Sequence, residues 1–219
     1  VPVCPEVECG LPVPREAMRL VGTADSPRLV TISTKKDLSV QMQSWARRRV
    51  SELEAEDLCG FIFKSKSPSS GMRDVKIYNQ QGMPVAKGVG LFAQALMQRF
   101  PTLPVEDEGR LVDAGLRENF IERIFVVHRW QKLVETGITR QKVVDFHTEH
   151  KLLLMAHSIT QYRAMGALVA QAKKYPRGEL VRDYEASLIK ALRLKPTVKK
   201  HTNVLQHMMG YFTNMLAKE

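Results

Sequence analysis

The chain has 219 residues, 44% of them hydrophobic and 26% charged, which is the composition of a globular protein of one large or two small domains. No apolar run approaches the roughly 18–20 residues of a membrane-spanning helix, no signal-peptide pattern opens it, and three cysteines are too few for a disulfide scaffold, so a reducing cytoplasm is the expected compartment. The formal charge of +10 is unevenly spread: residues 1–109 hold 14 Lys and Arg against 13 Asp and Glu, whereas residues 110–219 hold 19 against 10 together with all six histidines.

In chain order, Val1-Pro2-Val3 reads as a strand stopped by Pro5, which lacks a backbone donor. The start without Met leads us to expect a segment upstream. That strand would set Cys4 at its carboxyl end, where open α/β sheets place their sites, with Glu6, Glu8 and Cys9 close behind. Arg28–Ile32 is a second strand. Apolar spacing through Val40, Met42, Trp45, Val50 and Leu53 predicts a helix over 38–56, with Asp37 as its N-cap and Arg47, Arg48 and Arg49 exposed. Gly60–Phe63 and Val75–Tyr78 are strands, and Lys64-Ser-Lys-Ser-Pro-Ser-Ser-Gly-Met72 is a loop hung between them, the kind of place where chemistry collects. A helix over 90–100 follows. Beyond the acidic, proline-broken stretch 101–109, helices are expected over 117–136, 139–156, 159–174, 178–192 and 197–218. The reading is an α/β domain (1–115, Rossmann-like and incomplete at its start) followed by a basic all-α bundle (116–219).

Cys4 and Cys9 lack zinc-knuckle spacing. Thiolates suit iron–sulfur clusters, but two buried cysteines also serve as small hydrophobes. Cys59 reads as core. At about 100° per residue, His147, His150, Leu154 and His157 share one helix face. Three imidazoles there could bind metal, line a phosphate groove or simply be structural. In the last helix Val204, Leu205, Met208, Tyr211, Phe212 and Leu216 form an expected core stripe, beside a polar strip of Asn203, His207, Gly210 and Asn214.

Cys4-Pro5-Glu6 with Gly10-Leu11 and Pro14-Arg15, followed by Lys64-Ser65-Lys66-Ser67-Pro68-Ser69-Ser70-Gly71, resembles the thiouracil desulfurase (desulfidase) family. Phe146-His147-x-x-His150-Lys151 through His157-Ser158, Tyr162-Arg163, and Asn203-Val204-Leu205-x-His207-x-x-Gly210-Tyr211-Phe212 resemble a helical domain of unknown function, often fused behind it and found near photolyase genes. The resemblance covers nearly all of the chain. It implies a 4Fe–4S cluster held by three cysteines, its fourth iron open to the sulfur of a thiolated pyrimidine. In the fused type it implies desulfuration of 4-thiouridine in transfer RNA.

Carried over by residue, Cys4 matches the second cluster cysteine, Glu6 the acid that handles protons, and Ser67 the first serine of a Ser-Pro-Ser-Cys-Gly motif. Two departures matter. The first cluster cysteine would precede Val1, and the third falls at Ser70. Cys9 is the expected replacement, with Cys59 the other choice, and the chain as it stands is expected to hold no intact cluster and to be inactive alone. Ser69, Ser70, His147, His150, His157, Asn203 and His207 are candidate pocket residues. Lys64, Lys66, Arg47, Arg48, Arg49, Arg140, Lys142, Lys151, Arg163, Lys199 and Lys200 are candidate RNA contacts, whose affinity should fall steeply with salt. A free thiopyrimidine base or nucleotide is the alternative substrate. A non-catalytic RNA-binding or adaptor protein is the alternative class, and a zinc-dependent hydrolase a remoter one.

Overall fold

The computed structural model describes the backbone of residues 1–216 and the side chains of residues 1–212. The expected roles of Asn214 and Leu216, and the helix extension to Lys218, lie outside the described residues. The chain divides into two compact units, Val1–Ala114 and Gly115–Glu219.

The first unit is mixed α/β. Its elements are helix α1 (Pro5–Glu8), strands β1 (Met18–Gly22) and β2 (Pro27–Thr31), helix α2 (Ser39–Glu52), strands β3 (Phe61–Phe63), β4 (Val75–Tyr78) and β5 (Pro84–Gly88), helix α3 (Leu91–Arg99) and strand β6 (Val105–Asp107). One sheet has the order β2-β1-β4-β5, with β1 and β4 parallel and both outer pairs antiparallel. A second sheet is the parallel pair β3-β6. The apolar stripes of α2 and α3 form one core with the sheets. Met42, Trp45 and Val50 meet Leu20, Leu29, Phe63, Ile77, Phe92 and Leu96 there, and Trp45 and Phe92 lie 5.2 Å apart between ring centroids.

The opening differs from expectation. Residues 1–4 form no strand, and Pro5 starts α1 with Cys4 as N-cap. The first helical turn has no use for Pro5's missing donor, and the Glu8 carboxylate accepts the Cys4 N–H at 2.8 Å. Asp37 stands one residue before the N-cap of α2, yet it accepts the Ser39 N–H at 2.8 Å. Arg49 is half-buried rather than exposed, because Glu8 and Glu52 both hold it.

The second unit holds α4 (Ala114–Glu135, its first residue the last of the first unit), α5 (Arg140–His157), α6 (Ile159–Ala170), α7 (Arg177–Leu192) and α8 (Val198–Leu216). Thr139 and Ser158 cap α5 and α6, their hydroxyls accepting from the Lys142 and Gln161 N–H groups. Trp130, Phe146, Leu180, Tyr184 and Leu188 centre the core. The Trp130 ring lies 5.1 Å from Phe146 and 5.0 Å from Tyr184.

The expected core stripe of α8 is not buried. Leu205, Met208, Tyr211 and Phe212 are exposed and Val204 is half-buried. The helical period is as read, but among the described residues α8 packs chiefly on α5 and leaves this apolar stripe exposed. Among the described residues no helix is long and apolar enough to cross a membrane.

Candidate active site

Glu6 is the meeting point of the first unit's polar side chains. It projects from the first turn of α1 with its side chain 13% exposed. Its Oε1 accepts from the Ser69 hydroxyl and, at 3.4 Å, from the Ser67 hydroxyl. Its Oε2 lies 3.6 Å from Arg15 Nη2 and 3.7 Å from Cys4 Sγ. The two serine hydroxyls are 3.0 Å apart, and Ser67 Oγ accepts the N–H groups of Ser69 and Ser70 at 3.3 and 3.2 Å.

The serine loop is fixed by α3. The first N–H groups of a helix have no partner within it. Here Phe92 and Ala93 donate theirs to the Ser69 carbonyl at 2.9 and 3.2 Å, and Leu91 to that of Pro68 at 3.3 Å. This close approach requires glycine at two points. A Cβ on Gly90 would lie 2.5 Å from the Ser69 carbonyl, and one on Gly71 would lie 2.6 Å from the Ser67 oxygen. Lys66 takes a left-handed conformation (φ 57°) at the head of the loop, unusual for a residue with a Cβ.

The thiols do not converge. Cys4 is exposed beside Glu6, whereas Cys9 Sγ donates to the Glu6 backbone carbonyl at 3.3 Å and packs against the core. Burial, with the Glu6 charge adding, pushes the Cys9 thiol up from its ordinary range, which opposes thiolate formation. Ser70, where the resemblance leads one to expect cysteine, is buried and lines a hollow of about 290 Å³ with Val3, Phe61, Lys64 and Glu108. Among the described residues no group of three His, Cys, Asp or Glu side chains is placed to hold a metal ion. The donor set present does not fit an iron–sulfur cluster, because it offers one thiol at the site.

Residues 1–108 match the model of the 2-thiouracil desulfurase family. The α/β unit is similar to that family over nearly its whole length. Residues 151–219 match a family described as a protein of unknown function (DUF1722). The uncharacterized protein YbgA of Escherichia coli (strain K12) is 35% identical over 91 residues, 41% of this chain and 54% of that protein, so the match spans about half of the curated relative's length. A solved structure titled [4Fe-4S]-dependent thiouracil desulfidase TudS is 28% identical over 53% of this chain and 72% of that one, with a TM-score of 0.40. That overlap is too loose to locate atoms by.

The first unit brings together Cys4, Glu6, Ser67 and Ser69, with Ser70 next in the chain. It leaves Lys64 paired with Glu108 at 2.7 Å, and Arg48 paired with Glu52 at 3.7 Å beside an exposed Arg47. Within the second unit the three helix-face histidines are buried and each has its own partner. His147 Nδ1 lies 3.3 Å from the Tyr184 hydroxyl. His150 stacks on Phe146, with Nδ1 2.8 Å from the Phe146 carbonyl. His157 has Leu194 O at 2.6 Å from Nδ1 and Glu122 Oε2 at 2.7 Å from Nε2, so an oxygen faces each ring nitrogen.

Arg140 donates to the Tyr175 carbonyl, Lys142 to that of Gly137 and Lys200 to that of His157. Lys151 is half-buried near His147, while Arg163 and Lys199 are exposed. Asn203 is half-buried, and His207 is exposed against Tyr211. Sequence reasoning missed Arg15 as the cation facing Glu6.

Proposed function

We propose that the protein carrying this chain removes sulfur from a thiolated uracil by hydrolysis, with 4-thiouridine in transfer RNA as its substrate. Water supplies oxygen to the ring carbon, the C=S bond becomes C=O, and sulfur departs as sulfide, so no electrons are exchanged with a redox partner. The observation that carries this reading is the convergence of Glu6 with Ser67 and Ser69, some sixty residues further on, in a unit of the 2-thiouracil desulfurase family.

Glu6 is held by two hydroxyls and faces Arg15, so it is oriented to take a proton from water at Oε2. Ser67 and Ser69 donate to Oε1 and keep that orientation fixed. The family resemblance implies a 4Fe–4S cluster, which would supply Lewis-acid chemistry toward a soft sulfur; Cys4 is the one thiol that this chain places beside Glu6. The excess positive charge of residues 110–219 supports an RNA substrate, because phosphate neutralisation supplies sequence-independent affinity.

The test is sulfide release under anaerobic conditions by a version that carries the family's N-terminal cysteine segment, assayed on thiolated tRNA and on free 4-thiouracil. Glu6→Gln should lower kcat by about two to four orders of magnitude, the range for loss of a general base, with both substrates affected. Release unchanged by Glu6→Gln would remove the assigned role. A preference for the free base would replace tRNA as substrate. One observation favours a second reading: Ser70 stands at a ligand position of the family, as it would in a binding protein that has lost its cluster. That reading requires no sulfide release at all.

A further inference from the structure

The last helix carries an apolar surface that its own unit does not cover. α8 meets α5 at its start, where Lys200 donates to the His157 carbonyl at 2.6 Å and Asn203 and Val204 are half-buried. From 205 to 212 every residue is exposed. Leu205, Met208, Met209, Tyr211 and Phe212 are between 37% and 62% exposed, and at about 100° per residue they share one side of the helix. With large side chains at roughly 200 Å² each, the five leave on the order of 500 Å² uncovered, a patch of the size that on soluble proteins is often an interaction site.

The charge pattern narrows what can cover it. From His201 to Ala217 there is no Lys, Arg, Asp or Glu, in a chain that is 26% charged. A nucleic acid or an acidic partner is met by cations, and a helix lying on an anionic membrane carries Lys and Arg along its polar face. The polar side of this stretch holds Thr202, Asn203, Gln206 and His207 instead. The partner that fits is an equally uncharged apolar helix face of the same length, and α8 is itself such a face.

Two copies of a chain of charge +10 repel each other, so orientation decides whether the faces can meet. In a parallel pair, Lys199 and Lys200 of the two copies would face one another. In an antiparallel pair they stand about 27 Å apart, at 1.5 Å per residue, and each basic turn approaches the carboxyl end of the other helix, where the helix dipole favours a cation. We infer that α8 is a dimerisation helix, which pairs antiparallel with α8 of a second copy about a two-fold axis beside Met208 and Met209. Leu205 then lies against the partner's Phe212, and the reverse contact follows from the symmetry. The two faces together remove on the order of 1,000 Å² from solvent, the size at which specific interfaces begin. The pairing is independent of the chemistry proposed at Glu6.

The test is sedimentation equilibrium of the 219-residue chain at loadings from about 1 to 100 μM, which bracket a modest interface. The expected result is a reversible monomer–dimer equilibrium with a Kd on the order of 10 μM. It should hold or tighten as salt rises, because screening weakens the repulsion between two basic chains. Leu205→Glu and Phe212→Lys should each weaken the dimer at least about tenfold. Both side chains are exposed in their own unit, so the melting temperature of the monomer should not change. Mixed in equal amounts, the two variants should dimerise again, since antiparallel pairing sets the introduced carboxylate against the introduced ammonium.

A monomer at every loading overturns the inference, as does a dimer that either substitution leaves intact or that salt disperses. Variants that stay monomeric when mixed overturn the antiparallel pairing. A monomer that binds phosphatidylserine vesicles assigns the face to a membrane surface and overturns the inference too.

Discussion

Three polar side chains and one thiol surround the Glu6 carboxylate, and each has a distinguishable task. Ser67 and Ser69 orient it, Arg15 balances its charge, and Cys4 stands where the family's cluster ligand is expected. The Cys-Pro-Glu and Ser-Pro-Ser stretches were legible only through family resemblance, since no local pattern announces that side chains so far apart in sequence will meet. Resemblance could not show that Cys9 points elsewhere. Its position at the C-cap of α1 turns the thiol to a backbone carbonyl, a matter of helix geometry rather than of spacing. Cys9→Ala should therefore leave iron uptake by the cysteine-complete protein unchanged, while Cys4→Ser removes it. Ser70→Cys should raise the iron bound per chain, because it restores a third thiolate; iron analysis of purified variants reads all three.

Among the elements, α3 and the serine loop act as one part. The amphipathic pattern of residues 91–99 predicts the helix almost to the residue, and β4 is where alternation put it. Strands β1, β5 and β6 escaped notice for different reasons. Met18–Gly22 follows a proline-rich stretch that reads as irregular. Pro84–Gly88 begins with a strand-breaking residue that an edge strand tolerates. Val105–Asp107 is acidic and exists through its pairing with β3.

Gly90→Ala should destabilise the first unit by about 1–3 kcal/mol, the range for overpacking a close contact, and shift the loop off Glu6. Chemical denaturation and the Glu6-dependent activity should fall together. In α5, burial holds His147 below the ordinary histidine range, with the nearby Lys151 charge and the neighbouring His150 ring adding. The unfolded chain then takes up a proton that the folded chain refuses. Stability of the second unit is full above about pH 6.5 and is lost as pH falls from there through the lower folded value. His147→Gln should flatten that acid limb in denaturation curves taken from pH 7 to pH 5.

At the scale of the molecule, a near-neutral α/β unit holds the Glu6 cluster and a basic helical unit carries most of the excess charge. Composition and periodicity were enough to read the α/β class, the run of helices and the charge asymmetry. They misjudged α8, because a helical stripe of Leu205, Met208, Tyr211 and Phe212 reports amphipathicity but not whether a second layer covers it. They also assigned the buried histidines no partners, since Tyr184 and Glu122 reach them from other helices and the Leu194 carbonyl from the bend after α7.

We propose that Cys4 and Glu6 belong to an iron–sulfur desulfidase site, at which the described residues place a single thiol. The most direct measurement is anaerobic iron and sulfide analysis after cluster reconstitution, with an absorption spectrum near 400 nm, where thiolate-bound clusters absorb roughly. It should be made on the 219-residue chain, on a version carrying the family's N-terminal cysteine segment, and on that version with Ser70→Cys. The prediction is no stable cluster on the first and about four irons per chain on the third, with the second showing how far Ser70 can stand in for a thiolate. Iron absent from all three would contradict the cluster assignment and leave a basic helical protein joined to an inactive desulfurase domain.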